Sequence, residues 1–153
     1  MRKITANEFK LSSIIVGVLA TLMILFPALT VGDSNTSYSG IQIAFGHEFV
    51  NLGGFGSGQI EFSILNLIAY TLPLIAVLLL IFTKQGNLAA TIIFGAAAVM
   101  FFLIPEFTVV STTILGNTNE INIDWTFGIG LIFAASLSLL GLLIGLFRIY
   151  KKV

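Results

Sequence analysis

Residues 32–61, GDSNTSYSGIQIAFGHEFVNLGGFGSGQIE, form the longest polar break in an otherwise apolar chain. The segment contains His47, the only histidine, and three of the seven acidic residues. Two charge-free runs flank it, at residues 11–31 and 62–82. About 20 apolar residues suffice to cross the hydrocarbon core of a bilayer as a helix. The segment is therefore predicted to be a loop that the neighbouring helices hold at one side of a membrane.

The composition argues against a water-soluble domain. Charged residues make up 9% of the 153 residues and hydrophobic residues 57%, whereas soluble domains contain roughly 25% charged residues. A net charge of zero leaves no basic patch for nucleic acid. Because the chain has no cysteine, it can form neither a disulfide nor a thiolate metal site. The many Ile, Phe and Asn residues and the scarcity of Arg suggest a bacterial source.

Four charge-free runs predict an all-α integral membrane protein, an antiparallel bundle of four helices in a single domain of residues 1–153. The runs are residues 11–31, 62–82, 88–104 and 127–147. Residues 83–87 are too few for anything but a tight turn, so the second and third helices form a hairpin. The first run could also be a cleavable signal peptide. Its length exceeds the usual apolar region of about 7–15 residues, and an uncleaved helix is expected.

All seven basic residues fall on one side of this layout, and six of the seven acids fall on the other. Lys and Arg concentrate on the cytoplasmic side of membrane proteins. Both termini are therefore expected in the cytoplasm, with residues 32–61 and 107–124 outside a plasma membrane. The basic residues are Arg2, Lys3, Lys10, Lys84, Arg148, Lys151 and Lys152, and the outer acids are Asp33, Glu48, Glu61, Glu106, Glu120 and Asp124.

The two outer loops are too apolar for disorder and are predicted to form a small extracellular β-layer. In the first loop, apolar residues at 41, 43 and 45 alternate with others, and a period of two is typical of a half-buried strand. Residues 46–48 would form the turn and 49–52 the returning strand. An isolated hairpin is marginal in water, so strands from residues 107–124 are expected to extend it. Alternatively, residues 107–115 extend the third helix. The candidate contact residues are Ile41, Ile43, Phe45 and Phe49.

The chain shows no set of residues for catalysis or metal binding. His47 and Glu48 are adjacent, and neighbouring residues of a strand point to opposite faces. A zinc site needs three or four ligands, so a solvated turn is the better interpretation of this pair. The glycines of residues 53–58 lack the Lys-Ser/Thr of a phosphate-binding loop. We therefore expect no metal, no cofactor and no enzymatic activity.

Two features of the helices predict contacts inside the membrane. Asn66 and Tyr70 share a face of the second helix, where they could line a polar cleft or, more commonly, form hydrogen bonds between helices. The fourth helix carries a stripe of small residues, which lets helices approach closely. The stripe could serve packing within the chain or a homodimer. Its residues are Gly130, Ala134, Ser138, Gly141 and Gly145.

Four spans, cytoplasmic termini, a long strand-forming first outer loop and a tight inner turn together resemble the claudin-like membrane proteins. The family's loop-one tryptophan motif and its two cysteines are missing, because the only tryptophan is Trp125. No functional residue is carried over. The layout is equally that of a small bacterial membrane protein. We expect a non-enzymatic protein that contacts a second copy or another envelope protein through its outer surface. The alternative is an accessory subunit of a transporter or channel, with the Asn66 and Tyr70 face completing a path.

Overall fold

The computed structural model of the protein describes residues 6–32, 35–83 and 86–151. Within these ranges the chain forms five α-helices, and four of them are long and apolar enough to cross a membrane. The helices are α1 Ala6–Leu22, α2 Gly40–Phe45, α3 Ile64–Phe82, α4 Asn87–Phe107 and α5 Ile129–Lys151. Their length and composition indicate a membrane-embedded protein.

The four long helices pack as a bundle in which α1 and α4 each contact α3 and α5. The strands of the protein follow the ends of α1 and α4 and precede the starts of α3 and α5. These four helix ends therefore meet at one end of the bundle, which we call the sheet end. At the opposite end, the terminal end, α1 begins and α5 finishes, and the rings of Phe9 and Phe147 are 5.3 Å apart.

The first helix ends earlier than the sequence predicts. A helix through residue 31 was expected, but α1 stops at Leu22 and a 3-10 turn, Met23–Leu25, follows. Pro27 then begins a strand. Proline has no N–H group for a helix and is tolerated at the first residue of a strand. Thr30 and Val31 are β-branched, which suits the strand conformation. The predicted span 11–31 is therefore wrong at its C-terminal end.

Seven strands in the described ranges form two antiparallel sheets. One sheet has the order β2-β1-β7 and the other has the order β3-β4-β5-β6. Each sheet joins a strand from before α3 to one from after α4, since β1 pairs with β7 and β4 pairs with β5. A β-layer built from both loops is thus present, as two small sheets. The strands are β1 Pro27–Val31, β2 Ser37–Ser39, β3 His47–Asn51, β4 Gly56–Ile60, β5 Val110–Ile114, β6 Asn117–Ile121 and β7 Trp125–Phe127.

The hairpin of the first loop uses different residues from those predicted. Ile41, Ile43 and Phe45 lie on the short helix α2, not on a strand. The physical reason is a capping box: the backbone N–H of Gln42 donates to Ser39 Oγ at 3.4 Å, and the Ser39 N–H donates to Gln42 Oε1 at 2.9 Å. The hairpin instead pairs β3 with β4.

The structure of the second loop excludes the alternative in which the third helix continues through residue 115. Helix α4 ends at Phe107, and β5 begins at Val110. Ile60 of β4 pairs with Val110 of β5, and both are buried at the junction of sheet and bundle. The four-stranded sheet therefore contacts the bundle at this pair of residues, and the opposite end of the sheet extends away from the bundle.

Candidate functional site

The end of the four-stranded sheet that lies farthest from the bundle consists of two adjacent turns. The turn from β3 to β4 is closed by a hydrogen bond from the N–H of Leu52 to the carbonyl oxygen of Gly56 at 2.7 Å. The turn from β5 to β6 is hydrogen-bonded to the turn from β3 to β4, because the Leu115 N–H donates to the Phe55 carbonyl oxygen at 3.3 Å. A strand of five residues extends about 13 Å at roughly 3.3 Å per residue. The two turns therefore project beyond the bundle.

Four large apolar side chains cover this projecting end. Phe55 is 77% exposed and Leu115 is 73% exposed, while Leu52 and Ile114 are 66% and 60% exposed. Single exposed apolar residues are common, but several of them grouped on two adjacent turns mark a candidate interaction surface. We call Leu52, Phe55, Ile114 and Leu115 the apolar tip.

The backbone at Leu115 is in a conformation that leucine disfavours. Its φ is +50°, and that of the following Gly116 is +84°. Two successive positive φ angles are typical of the type I′ hairpin turn, whose first position prefers Asn, Asp or Gly. Leucine there costs roughly 1–2 kcal/mol because its Cβ approaches the following carbonyl oxygen. Strain of this kind tends to persist where the side chain has a function.

The four contact residues predicted from the sequence do not share one surface. Ile43 lies on the buried face of α2 and is fully buried, so it cannot contact a partner. Ile41 and Phe45 are 41% and 57% exposed, on the opposite face of the same helix. The ring of Phe49, on β3, lies against Gly58 of the neighbouring strand β4, because a Cβ added at Gly58 would come within 2.7 Å of that ring. Ile43 is therefore a core residue, whereas Ile41 and Phe45 lie on α2 and Phe49 lies on β3.

An aromatic cluster around Tyr38 joins the two sheets. The ring of Tyr38, on β2, is 6.0 Å from that of His47, 6.2 Å from that of Phe49 and 6.0 Å from that of Trp125. His47 and Phe49 belong to the four-stranded sheet, whereas Trp125 belongs to the three-stranded one. Burial raises the pKa of the Tyr38 phenol above its ordinary value. His47 is therefore part of a packing contact between the sheets.

The acids of the second loop border a polar cleft at the sheet end. Glu106, Glu120 and Asp124 line it together with Trp125, and its volume is about 660 Å³. In the part of the chain that the structure describes, no group of three or more His, Asp or Glu residues is placed to hold a metal ion. The cleft is thus a negatively charged, solvent-facing depression beside the four-stranded sheet.

Asn66 and Tyr70 lie inside the protein. The Asn66 amide Nδ2 donates to the Ile43 carbonyl oxygen at 3.1 Å and to Thr108 Oγ1 at 2.9 Å. The ring of Tyr70 packs edge-on against Phe101 at 5.0 Å. Both residues are at most 1% exposed. Of the two interpretations, the geometry favours a junction between elements over an open polar cleft.

The small residues of α5 face other helices of the same chain. All five, Gly130, Ala134, Ser138, Gly141 and Gly145, are buried. A Cβ added at Gly141 would come within 2.7 Å of the Phe94 ring on α4. One added at Gly130 would lie 2.8 Å from Phe26 Cβ. The stripe therefore packs α5 within the bundle, and none of it is left for a second copy.

Opposite charges lie at opposite ends of the described structure. Lys10, Arg148 and Lys151 lie at the terminal end, where Glu8 is the one acid of the described ranges. The remaining described acids, Glu48, Glu61, Glu106, Glu120 and Asp124, lie within or close to strands at the sheet end. Arg2, Lys3, Asp33, Lys84 and Lys152 lie outside the described residues.

The sequence contains one local signal for the apolar tip. Residues 110–114 are mostly β-branched, residues 117–120 are all polar, and Leu115 and Gly116 separate the two runs. Two runs separated by two residues, the second a glycine, are typical of a tight hairpin. The neighbouring position of Phe55 depends on the pairing of β4 with β5, which no local signal specifies.

Comparison of the chain with protein families, with curated proteins and with solved structures finds no match.

Proposed function

We propose that the protein is a non-enzymatic integral membrane protein that contacts another membrane protein through its apolar tip. The partner is a second copy of the chain or a different protein of the same envelope. In this proposal the chain crosses a plasma membrane four times, both termini are cytoplasmic, and the sheets lie outside. The contact requires no cofactor.

The apolar tip is the observation that carries this proposal. Its four side chains are each at least 60% exposed, although they are among the most hydrophobic in the chain. Removing such surface from water is worth about 25 cal/mol per Å². The left-handed backbone at Leu115 adds to the argument, because an asparagine would fit that position with less strain.

The orientation rests on the charges at the two ends. Lys and Arg mark the cytoplasmic side of membrane proteins, and Lys10, Arg148 and Lys151 lie at the terminal end. The acidic cleft lies at the sheet end. This arrangement supports an outward-facing apolar tip.

The alternative, an accessory subunit of a transporter or channel, has less support. It requires a polar path lined by Asn66 and Tyr70. Both side chains are enclosed by the bundle and the loops, so they offer no open surface on which a second protein could complete a path.

The proposal is tested by photo-crosslinking from the apolar tip in intact cells. A benzophenone amino acid replaces Phe55, whose 77% exposure leaves room for the larger side chain. We expect a crosslinked product, at twice the chain mass of 16.4 kDa for self-association or at another mass for a different partner. The same amino acid at Asn119, an exposed position of β6, is the matched control. Absence of any product from position 55, or equal yields from both positions, contradicts the proposal.

A further inference from the structure

A second site lies at the terminal end of the bundle and centres on Arg148. Its side chain is only 7% exposed. Among the residues that the structure describes, none accepts a hydrogen bond from its buried Nε. A buried charged donor without an acceptor is unfavourable. An ionisable residue buried in a membrane-embedded bundle is a candidate functional group whose partner must be identified.

Close packing of α5 on α4 brings Arg148 to the start of α4. A Cβ added at Gly145 would lie 2.9 Å from Thr91 Cβ, so the glycine is what lets the two helices approach here. Thr91 lies one turn into α4, and its Oγ1 donates to the Asn87 carbonyl oxygen at 2.7 Å. Arg148 lies on the next turn of α5 toward the terminal end. Together with Ser13, Asn87 and Thr91, it lines one small cavity.

The first turns of α4 lie at the same cavity, which Asn87, Ala90 and Thr91 line. The first N–H groups of a helix have no acceptor within the helix, and the helix dipole gives this end a partial positive charge. The Ala90 N–H donates a hydrogen bond to the Gly86 carbonyl oxygen at 2.8 Å. The N–H groups of residues 87–89 precede it at the start of the helix. Gly86 provides no side-chain cap, and the first turn contains no acid. An anion bound here would satisfy the helix end and the guanidinium together.

We propose that Arg148 and the N-terminus of α4 form a binding site for a phosphate group. The cavity has a volume of about 10 Å³, and a space of this size holds about one water molecule. One phosphate oxygen therefore enters it, and the rest of the group stays at the mouth. Arginine and helix N-termini both recognise phosphate oxygens.

Two further cations lie at the same end of the bundle. Lys10 is on α1, whose Phe9 contacts Phe147 of α5. The Nζ of Lys151 lies 4.6 Å above the ring of Phe147.

The phosphate of an anionic phospholipid and free inorganic phosphate both offer the chemistry that this site recognises, and the experiment distinguishes them.

The test uses the full chain in a maltoside detergent, which contains no phosphate. Native mass spectrometry measures retention of phosphatidylglycerol, with diacylglycerol as the lipid that lacks the phosphate. We expect one phosphatidylglycerol to bind and diacylglycerol not to bind. Arg148→Gln should weaken binding by about tenfold or more, through loss of a charge-assisted hydrogen bond. Lys151→Gln removes the same charge from an exposed position and should weaken it by less than about twofold.

A second pair of variants keeps the test valid if Arg148→Gln does not fold. Ala89, in the first turn of α4, is exposed. Ala89→Glu places a carboxylate where the helix dipole stabilises it, and this carboxylate competes with the phosphate. It should weaken binding about as much as Arg148→Gln does, with an unchanged or higher melting temperature, whereas Ala89→Gln should leave binding intact.

Inorganic phosphate identifies the source of the group. If millimolar phosphate raises the melting temperature of the unmodified chain but not that of Arg148→Gln, and phosphatidylglycerol does not bind, the site takes free phosphate. Binding of phosphatidylglycerol assigns it to a lipid headgroup. The proposal is overturned if neither compound binds, or if Arg148→Gln and Lys151→Gln weaken binding equally.

Discussion

Leu115 holds an exposed apolar side chain on a left-handed backbone at the end of a hairpin. We predict that Leu115→Asn makes the protein more stable, by up to about 1 kcal/mol, because Asn tolerates this conformation better. The same substitution removes an apolar group from the proposed contact. Stability should therefore rise while crosslinking from position 55 falls.

The two effects are measured separately. Thermal unfolding in detergent, followed by circular dichroism, reports stability. Ile121→Asn, on the same sheet but outside the apolar tip, is the control that should leave crosslinking unchanged. A Leu115→Asn protein that is more stable and crosslinks normally would show that the leucine has no role in contact.

Asn66 connects the start of α3 to the carbonyl of Ile43 and the hydroxyl of Thr108. Asn66→Ala leaves both groups buried with fewer partners, and it should lower the free energy of unfolding by about 1–3 kcal/mol. Thr71→Ala is the control, since that exposed hydroxyl bonds only to its own helix at Ile68. If the two variants unfold at the same temperature, the junction at Asn66 contributes nothing to stability.

The pH dependence of stability should report Tyr38. Burial raises its pKa in the folded state above the ordinary value of 10.0, so the folded chain retains the phenol proton at a pH where the unfolded chain loses it. The contribution of this buried phenol to the free energy of unfolding is therefore fully present below pH 10.0, and it declines as the pH rises further. Tyr38→Phe should therefore reduce the loss of melting temperature between neutral pH and the alkaline range. The prediction is contradicted if Tyr38→Phe loses as much melting temperature over this range as the unmodified chain does.

At the level of elements, the short helix α2 shows why the sequence predicts a strand where a helix forms. Its six residues alternate in polarity as a strand would, and short apolar runs do not distinguish helix from strand. Ser39 and Gln42 have the spacing of a capping box, and that local signal determined the structure. The phenylalanine predicted to share a strand face with Ile43 consequently lies on the opposite side of α2.

Helix α5 offers a direct test of packing. Gly141→Ala adds a Cβ that would lie 2.7 Å from the ring of Phe94, which is 1% exposed. Such overpacking costs about 1–3 kcal/mol. Gly95→Ala is the matched control, because its Cβ would meet Leu142 at an ordinary 3.5 Å. We expect a lower melting temperature for Gly141→Ala alone. Equal melting temperatures would mean that the α4–α5 contact is looser than the structure indicates.

The long helices were predictable because each contains a long apolar run without charge, whatever its neighbours. Their ends were less so, as the strand at Pro27 shows. That strand is stabilised by β7, whose residues Trp125–Phe127 lie far along the chain. Pairings over such distances leave no trace in local periodicity. The apolar tip went unpredicted for the same reason, since Phe55 and Leu115 meet only through the β4–β5 pair.

For the whole molecule, the orientation can be tested because the chain has no cysteine of its own. We predict that a membrane-impermeant maleimide labels Asn119→Cys in intact cells, since β6 is exposed at the sheet end. Tyr150→Cys, at the exposed end of α5, should react only after the membrane is permeabilised. The reverse pattern would place the apolar tip in the cytoplasm and contradict the proposed orientation.

The pairing of early and late strands also constrains how the chain folds. Leu29 pairs with Phe127, and Gln59 pairs with Ser111. Contacts between distant residues form slowly, because a long loop must close before they do. During synthesis, the edge of β1 that pairs with β7 therefore remains unpaired until the segment after α4 has left the ribosome. The sheets therefore cannot close before residues 110–127 are synthesised, and the chain is most exposed to aggregation and to proteases in that interval.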